Sequence, residues 1–213
     1  MTPENKIKFK ANAQARSLVL LPKKEAEKRI ETNYYVEGYA ARYEPYVLCY
    51  DGDEPIYERF ERGCFDDCDM SDVIMQFDHA GRVFARSTNG SLIVVPDNAG
   101  LFMAADLGRT EGARGLYADI DAEMITKMSW RFRVGDCYWD AETRTIVHRT
   151  VKKIYDVSAV SIPANDNTEI NARSWADGVI GLAARSEAEL DDRRRRLRLK
   201  IKLNSQEEFN YET

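Results

Sequence analysis

The chain holds only two histidines, His79 and His148. It also holds a serine, Ser129, inside the run Lys127-Met128-Ser129-Trp130-Arg131-Phe132, where apolar and polar residues alternate on through Val134. A serine hydroxyl is a poor nucleophile at neutral pH until a base takes its proton in the transition state. Imidazole suits that work because its ordinary pKa lies near neutrality. His79, in Gln76-Phe77-Asp78-His79-Ala80, lies well upstream of Ser129. We read Ser129 as a nucleophile and His79 as its base. On residue types alone, a strand serine more often satisfies a neighbour, so this reading requires a fold that joins two remote segments.

Other constellations read less sharply. Cys49, Cys64, Cys68 and Cys137 contain no CxxC pair, and the histidines are distant, so a zinc site is not expected. Asp66, Asp67, Asp69 and Asp72 depart from the spacing of an EF-hand loop and read as a solvated acidic turn. Arg131 and Arg133 read as solvated strand arginines in preference to electrostatic support of the Ser129 site. The basic block 193–203 passes into a basic–apolar alternation, which reads as a strand or segment that docks on a partner.

The elements that must position Ser129 and His79 look short and mostly extended. The segment 34–43 is rich in aromatic and β-branched residues and reads as a strand. Residues 44–54 read as a loop, because Pro45 and Asp51-Gly52-Asp53 interrupt them. Strands are expected over 56–60 and 72–77, the second delivering His79 at its end. Asn89-Gly90 is a hairpin signal, with strands at 83–86, 91–95 and 101–105. Helical spacing of Ala113, Leu116, Tyr117, Ile120 and Met124 predicts a helix over 111–125. Further strands are expected at 127–134, 137–139, 145–147 and 151–162, with Pro163-Ala164-Asn165-Asp166-Asn167 as a stop. There is no strand–helix rhythm. The fold class is therefore α+β, mostly β, a barrel or sandwich with one or two helices packed outside.

The 213 residues suit one domain with extensions. We divide them into a flexible basic N-terminal arm (1–32), a catalytic domain (33–174) and a charged C-terminal tail (175–213), processed or partner-binding. Apolar residues make up 44%, enough for a core, and the net charge of −5 does not point to nucleic acid or to an anionic membrane. The run Leu18-Val19-Leu20-Leu21 is too short for a signal-peptide core or a membrane span. The sparse cysteines fit a reducing cytoplasm.

Several strings, in order, resemble the tailed-phage prohead (head-maturation) serine proteases, which are distantly similar to the herpesvirus assemblins. They are Gly38-Tyr39-Ala40-Ala41-Arg42-Tyr43, Glu61-Arg62-Gly63-Cys64-Phe65, the histidine motif ending at Asp78-His79, Asn89-Gly90-Ser91-Leu92, Asp97-Asn98-Ala99-Gly100-Leu101, Met128-Ser129-Trp130-Arg131-Phe132 and Tyr155-Asp156-Val157-Ser158-Ala159-Val160-Ser161-Ile162-Pro163-Ala164. The resemblance spans roughly 34–173. It departs from the pattern at Asp78, where an asparagine is commoner, at Cys64, where alanine is usual, and at Thr126, which replaces a common glycine.

The resemblance implies an antiparallel, assemblin-like β-barrel with a few surrounding helices, and a capsid-maturation serine endopeptidase working in the host bacterial cytoplasm, within the assembling prohead. Its protein substrates would be scaffold, or a scaffold-like arm of the major capsid protein, and the chain itself. Ser129 and His79 would be joined by a third group that fixes the imidazole tautomer. The resemblance points to Asp156. His148 is the competing candidate, because the assemblins use a second histidine there. Acyl transfer also requires oxyanion donors, which the sequence does not locate. No metal, organic cofactor, membrane or specific nucleic acid is expected, and a homo-oligomer is left open. The alternative is a non-enzymatic capsid-assembly or scaffold-binding protein on the same barrel. A small-molecule esterase would want a Gly-x-Ser-x-Gly elbow, which is lacking.

Overall fold

The computed structural model describes residues 12–19, 28–161 and 166–210. Among these described residues, twelve strands form three sheets, with two α-helices. The strands are β1 (Asn12–Val19), β2 (Tyr35–Arg42), β3 (Tyr46–Asp51), β4 (Glu54–Phe60), β5 (Ile74–Phe77), β6 (Ala80–Arg86), β7 (Leu92–Pro96), β8 (Gly100–Asp106), β9 (Lys127–Val134), β10 (Cys137–Asp140), β11 (Thr145–His148) and β12 (Val151–Val160). The helices are α1 (Glu111–Asp121) and α2 (Asp166–Asn210).

The sheets run β1-β9-β12-β5-β6, β10-β11-β4-β3 and β2-β8-β7. None closes on itself, so the expected barrel is not formed. A barrel requires the first and last strands of one sheet to pair; here each sheet keeps two edges. Nor are the sheets wholly antiparallel, since β12 pairs with β5 and β11 with β4 in parallel.

Alternation along β9 explains where the main core sits. Met128, Trp130 and Phe132 are all buried and pack with Phe60, Met75, Val157 and Leu101 in one cluster. Fully burying a side chain of this size stabilises by about 1.5–3 kcal/mol. Ser129 and Arg131, one residue out of phase, face the opposite side of the same sheet. Helix α1 is shorter than expected. Thr110 caps it by accepting from Ala113 N at 3.1 Å, and it ends as Glu123 turns to positive φ.

Several expectations change. The loop read over 44–54 contains β3, which pairs antiparallel with β4 across the two-residue turn Gly52-Asp53; the aromatic and β-branched residues of Tyr46-Val47-Leu48-Cys49-Tyr50 outweigh Pro45. Asn89-Gly90 does not close a hairpin, because β6 and β7 belong to different sheets. It ends a 3-10 turn, Ser87–Asn89, with Gly90 at φ 73°.

The run 193–203 is helical rather than extended, as part of α2. Arg, Leu and Lys are good helix formers, and Asp192 meets Arg196 one turn on at 2.8 Å. The boundary expected near residue 174 falls inside α2. Ala176 and Val179 of this helix are buried against Cys49, Ile56 and Ile146 of the four-stranded sheet. From the N-terminal arm, β1 pairs antiparallel with β9, placing Ala15 opposite Ser129. Residues 1–11, Leu20, Leu21, the basic cluster at 23–27 and the stop at Pro163-Ala164-Asn165 lie outside the described residues. Among the described residues, no helix is long and apolar enough to cross a membrane.

Candidate active site

The site lies on the face of the five-stranded sheet that turns away from the main core. Three central strands supply it in register. On β9 and β12, Ser129 stands opposite Ser158 and Arg131 opposite Asp156. On β12 and β5, Ser158 stands opposite Gln76. Because successive side chains alternate, Ser129, Arg131, Asp156, Ser158 and Gln76 share one face, while Trp130, Val157 and Met75 share the core face.

Asp156 would point into the core were β12 regular. The register slips by one residue between Ile154 and Asp156, so Tyr155 is the extra residue of a bulge. Bulges re-aim the side chains that follow them, and this one turns the carboxyl of Asp156 to the face of Ser129.

His79 arrives on a tight turn. Phe77 pairs with Ala80, so Asp78 and His79 are the two central residues of a β5–β6 hairpin. Both have positive φ, 48° and 57°, as a two-residue primed turn requires. Left-handed backbone costs a non-glycine residue about 1–2 kcal/mol, and such strain persists where the surroundings over-determine it. Here Asp78 N donates to Ala159 O at 2.9 Å. The Asp78 carboxylate accepts from Ser161 N at 2.9 Å and from Ser161 Oγ at 2.8 Å. The tip of the hairpin is thus pinned to the end of β12.

The pinned turn brings His79 Nδ1 to 2.6 Å from Asp156 Oδ1. Asp156 is wholly buried, which an unpaired charge could not sustain. Its Oδ1 also accepts from Ser158 Oγ at 2.6 Å, and its Oδ2 accepts from Arg131 Nε. Burial pushes the Asp156 carboxyl up, but the hydrogen bond and charge of His79, with the hydrogen bonds of Ser158 and Arg131, outweigh it and hold the group below its ordinary value. An ionised carboxylate only accepts, so Nδ1 carries the proton. On neutral imidazole that leaves Nε2 with a lone pair. Nε2 is buried and has no hydrogen-bond partner among the described residues. Such an atom costs about 1–3 kcal/mol and calls for a functional account.

The sequence reading weighed His148 as third member. It is instead fully buried in the four-stranded sheet, where Nε2 lies 2.6 Å from Glu58 Oε1 and the ring stacks on Phe60 at 4.4 Å. The carboxylate beside His79 is that of Asp156. Arg131, read as solvated, binds Asp156 and, through Nη2, Gln76 Oε1 at 3.1 Å. Arg133 is exposed.

Sequence reasoning set aside Arg131, and missed Gln76 and Ser158, as parts of this cluster. The first and last sit two residues from Ser129 and Asp156, and that spacing could have found them. Of the acids 66–72, Asp69 pairs with Lys153 at 2.6 Å and Asp72 pairs with Arg86. Burial pushes the thiols of Cys64 and Cys68 up to about 12. Among the described residues, no group of acids, cysteines and histidines could hold a metal ion.

A family model described as Caudovirus prohead serine protease matches residues 22–178. No curated protein and no solved structure matches the chain.

Proposed function

From the premise that this chain belongs to the caudovirus prohead serine protease family, we propose that it is a capsid-maturation serine endopeptidase in which Ser129, His79 and Asp156 are the catalytic residues. Its substrates are scaffold, or a scaffold-like arm of the major capsid protein, and its own ends, cut inside the immature head in the host cytoplasm. The observation that carries the reading is the 2.6 Å pair of His79 Nδ1 and Asp156 Oδ1, which leaves Nε2 without a hydrogen-bond partner among the described residues.

In the reaction, Ser129 Oγ attacks the scissile carbonyl as His79 Nε2 takes the hydroxyl proton. Asp156 holds the Nδ1–H tautomer and stabilises the imidazolium. The imidazolium then gives its proton to the leaving amine, and a water repeats the sequence on the acyl-enzyme. Ser129 is fully buried in this structure, so a peptide reaches it only after the covering surface opens.

Purified protein should trim its own ends over hours, and Ser129→Ala should stop this with an unchanged circular dichroism spectrum. Equal shortening of both proteins would assign the cuts to a contaminant and return the chain to the non-enzymatic assembly reading.

A further inference from the structure

Arg131, Gln76, Asp156 and the His79 hairpin form a closed ring of contacts. Arg131 Nε binds Asp156 Oδ2, and Nη2 reaches Gln76 Oε1 at 3.1 Å. Gln76 Nε2 donates to Gly81 O at 3.3 Å, on the strand that leaves the hairpin. Asp156 Oδ1 closes the ring at His79 Nδ1. Every member lies on the Ser129 face of β9, β12 and β5, or on the turn above it.

We propose that Arg131, buttressed by Gln76, is a positioning residue of this protease. It fixes the direction of the Asp156 carboxylate and keeps the buried His79–Asp156 pair from settling as an imidazolium–carboxylate ion pair. The inference rests on the protease reading above.

The charge argument follows from what faces the imidazole. From β12 it meets Asp156, and from β9 the guanidinium of Arg131 stands behind that carboxylate. From β5 comes only neutral Gln76. Within its own turn, the carboxylate of Asp78 is directed to Ser161. The buried negative charge therefore has one cationic partner, Arg131, and a neutral donor, the imidazole N–H. Without Arg131, the carboxylate has the imidazole alone as counter-charge. Protonation of the ring, or of Asp156 itself, is then favoured, and either disables the base. The fork also gives geometry that an ammonium cannot: two nitrogens of one planar group reach two strands at once.

The test compares Arg131→Met, Arg131→Lys and Gln76→Leu in the full-length chain, using a peptide spanning a self-cleavage site. In Arg131→Met, kcat should fall about tenfold or more with KM little changed, and the acid limb of kcat/KM should move up by about one pH unit. Arg131→Lys should bring the acid limb back while kcat stays reduced. Gln76→Leu removes the acceptor of Arg131 Nη2 and the donor to Gly81 O and should lower kcat by a few-fold, with the acid limb unmoved. A merely structural arginine would lower the active fraction and leave the pH profile alone.

Wild-type kcat and acid limb in Arg131→Met would overturn the proposal while leaving the protease reading intact. Should that variant fail to fold, full kcat in both Arg131→Lys and Gln76→Leu would overturn it. Loss of the protease reading has a different signature, namely cleavage by Ser129→Ala at the wild-type rate.

Discussion

Two histidines in this molecule each meet a buried carboxylate at 2.6 Å, and only one of them is built to work. His148 meets Glu58 through Nε2, with both side chains wholly enclosed. Its ring is stacked on Phe60 and meets Phe132 edge-on at 5.6 Å. His79 meets Asp156 through Nδ1, keeps 13% of its side chain exposed, and sits on a strained turn. Its carboxylate has further donors in Arg131 and Ser158. A short histidine–carboxylate contact is therefore no sign of catalysis by itself. The distinguishing features are the backbone held out of its ordinary region, the further donors on the carboxylate, and a nucleophile on the same face.

The comparison breaks most visibly by exchanging the damage. Removing the imidazole in His79→Ala should lower kcat/KM by roughly ten-thousandfold with little change in thermal midpoint, read by peptide cleavage and calorimetry. His148→Ala should do the reverse. It removes the imidazole partner of the buried Glu58 and costs about 3–5 kcal/mol of stability, while the folded fraction, measured by urea titration, keeps its activity. Loss of cleavage in fully folded His148→Ala would end the distinction.

The double change Glu58→Leu with His148→Phe should recover most of that stability, since apolar replacement of a buried pair is often neutral. No such repair should exist for Asp156 and His79, whose double apolar replacement stays inactive.

A smaller effect concerns acid. The Asp156 carboxyl is depressed in the fold, so its stabilising contribution is present above the ordinary carboxylate pKa and is lost as pH falls through the depressed value. The stability gap between wild type and Asp156→Asn should stay level from pH 7 to about pH 4 and shrink below it, in urea midpoints taken across that range. The smallest effect is expected at the turn. Asp78→Asn keeps an acceptor for Ser161 and should cost less than about threefold in kcat, whereas Asp78→Ala should cost about tenfold, as expected when a catalytic group loses its placement.

How much of this was legible follows from particular residues. The strand at Ser129 and the delivery of His79 at the end of a strand could be read, because both rest on local alternation. Sheet closure could not, since which strands become edges depends on long-range pairing such as β12 with β5. The apolar positions Val151, Ile154, Val157 and Ala159 break the two-residue period twice, at the register slips between Val151 and Lys153 and between Ile154 and Asp156; the second is the bulge at Tyr155, visible but not interpreted. The burial of His148 was hidden because its polar neighbours Arg149 and Thr150 belong to the turn beyond β11. The role of Arg131 was hidden because an arginine in a strand reads as solvated until its carboxylate is known.

The most direct measurement is covalent. A small fluorophosphonate, incubated with protein that trims its own ends and followed by peptide mass spectrometry, should leave one adduct, on Ser129. The adduct should vanish in His79→Ala and persist in Glu58→Leu with His148→Phe. An adduct on another residue, or undiminished labelling of Ser129 without His79, would contradict the account.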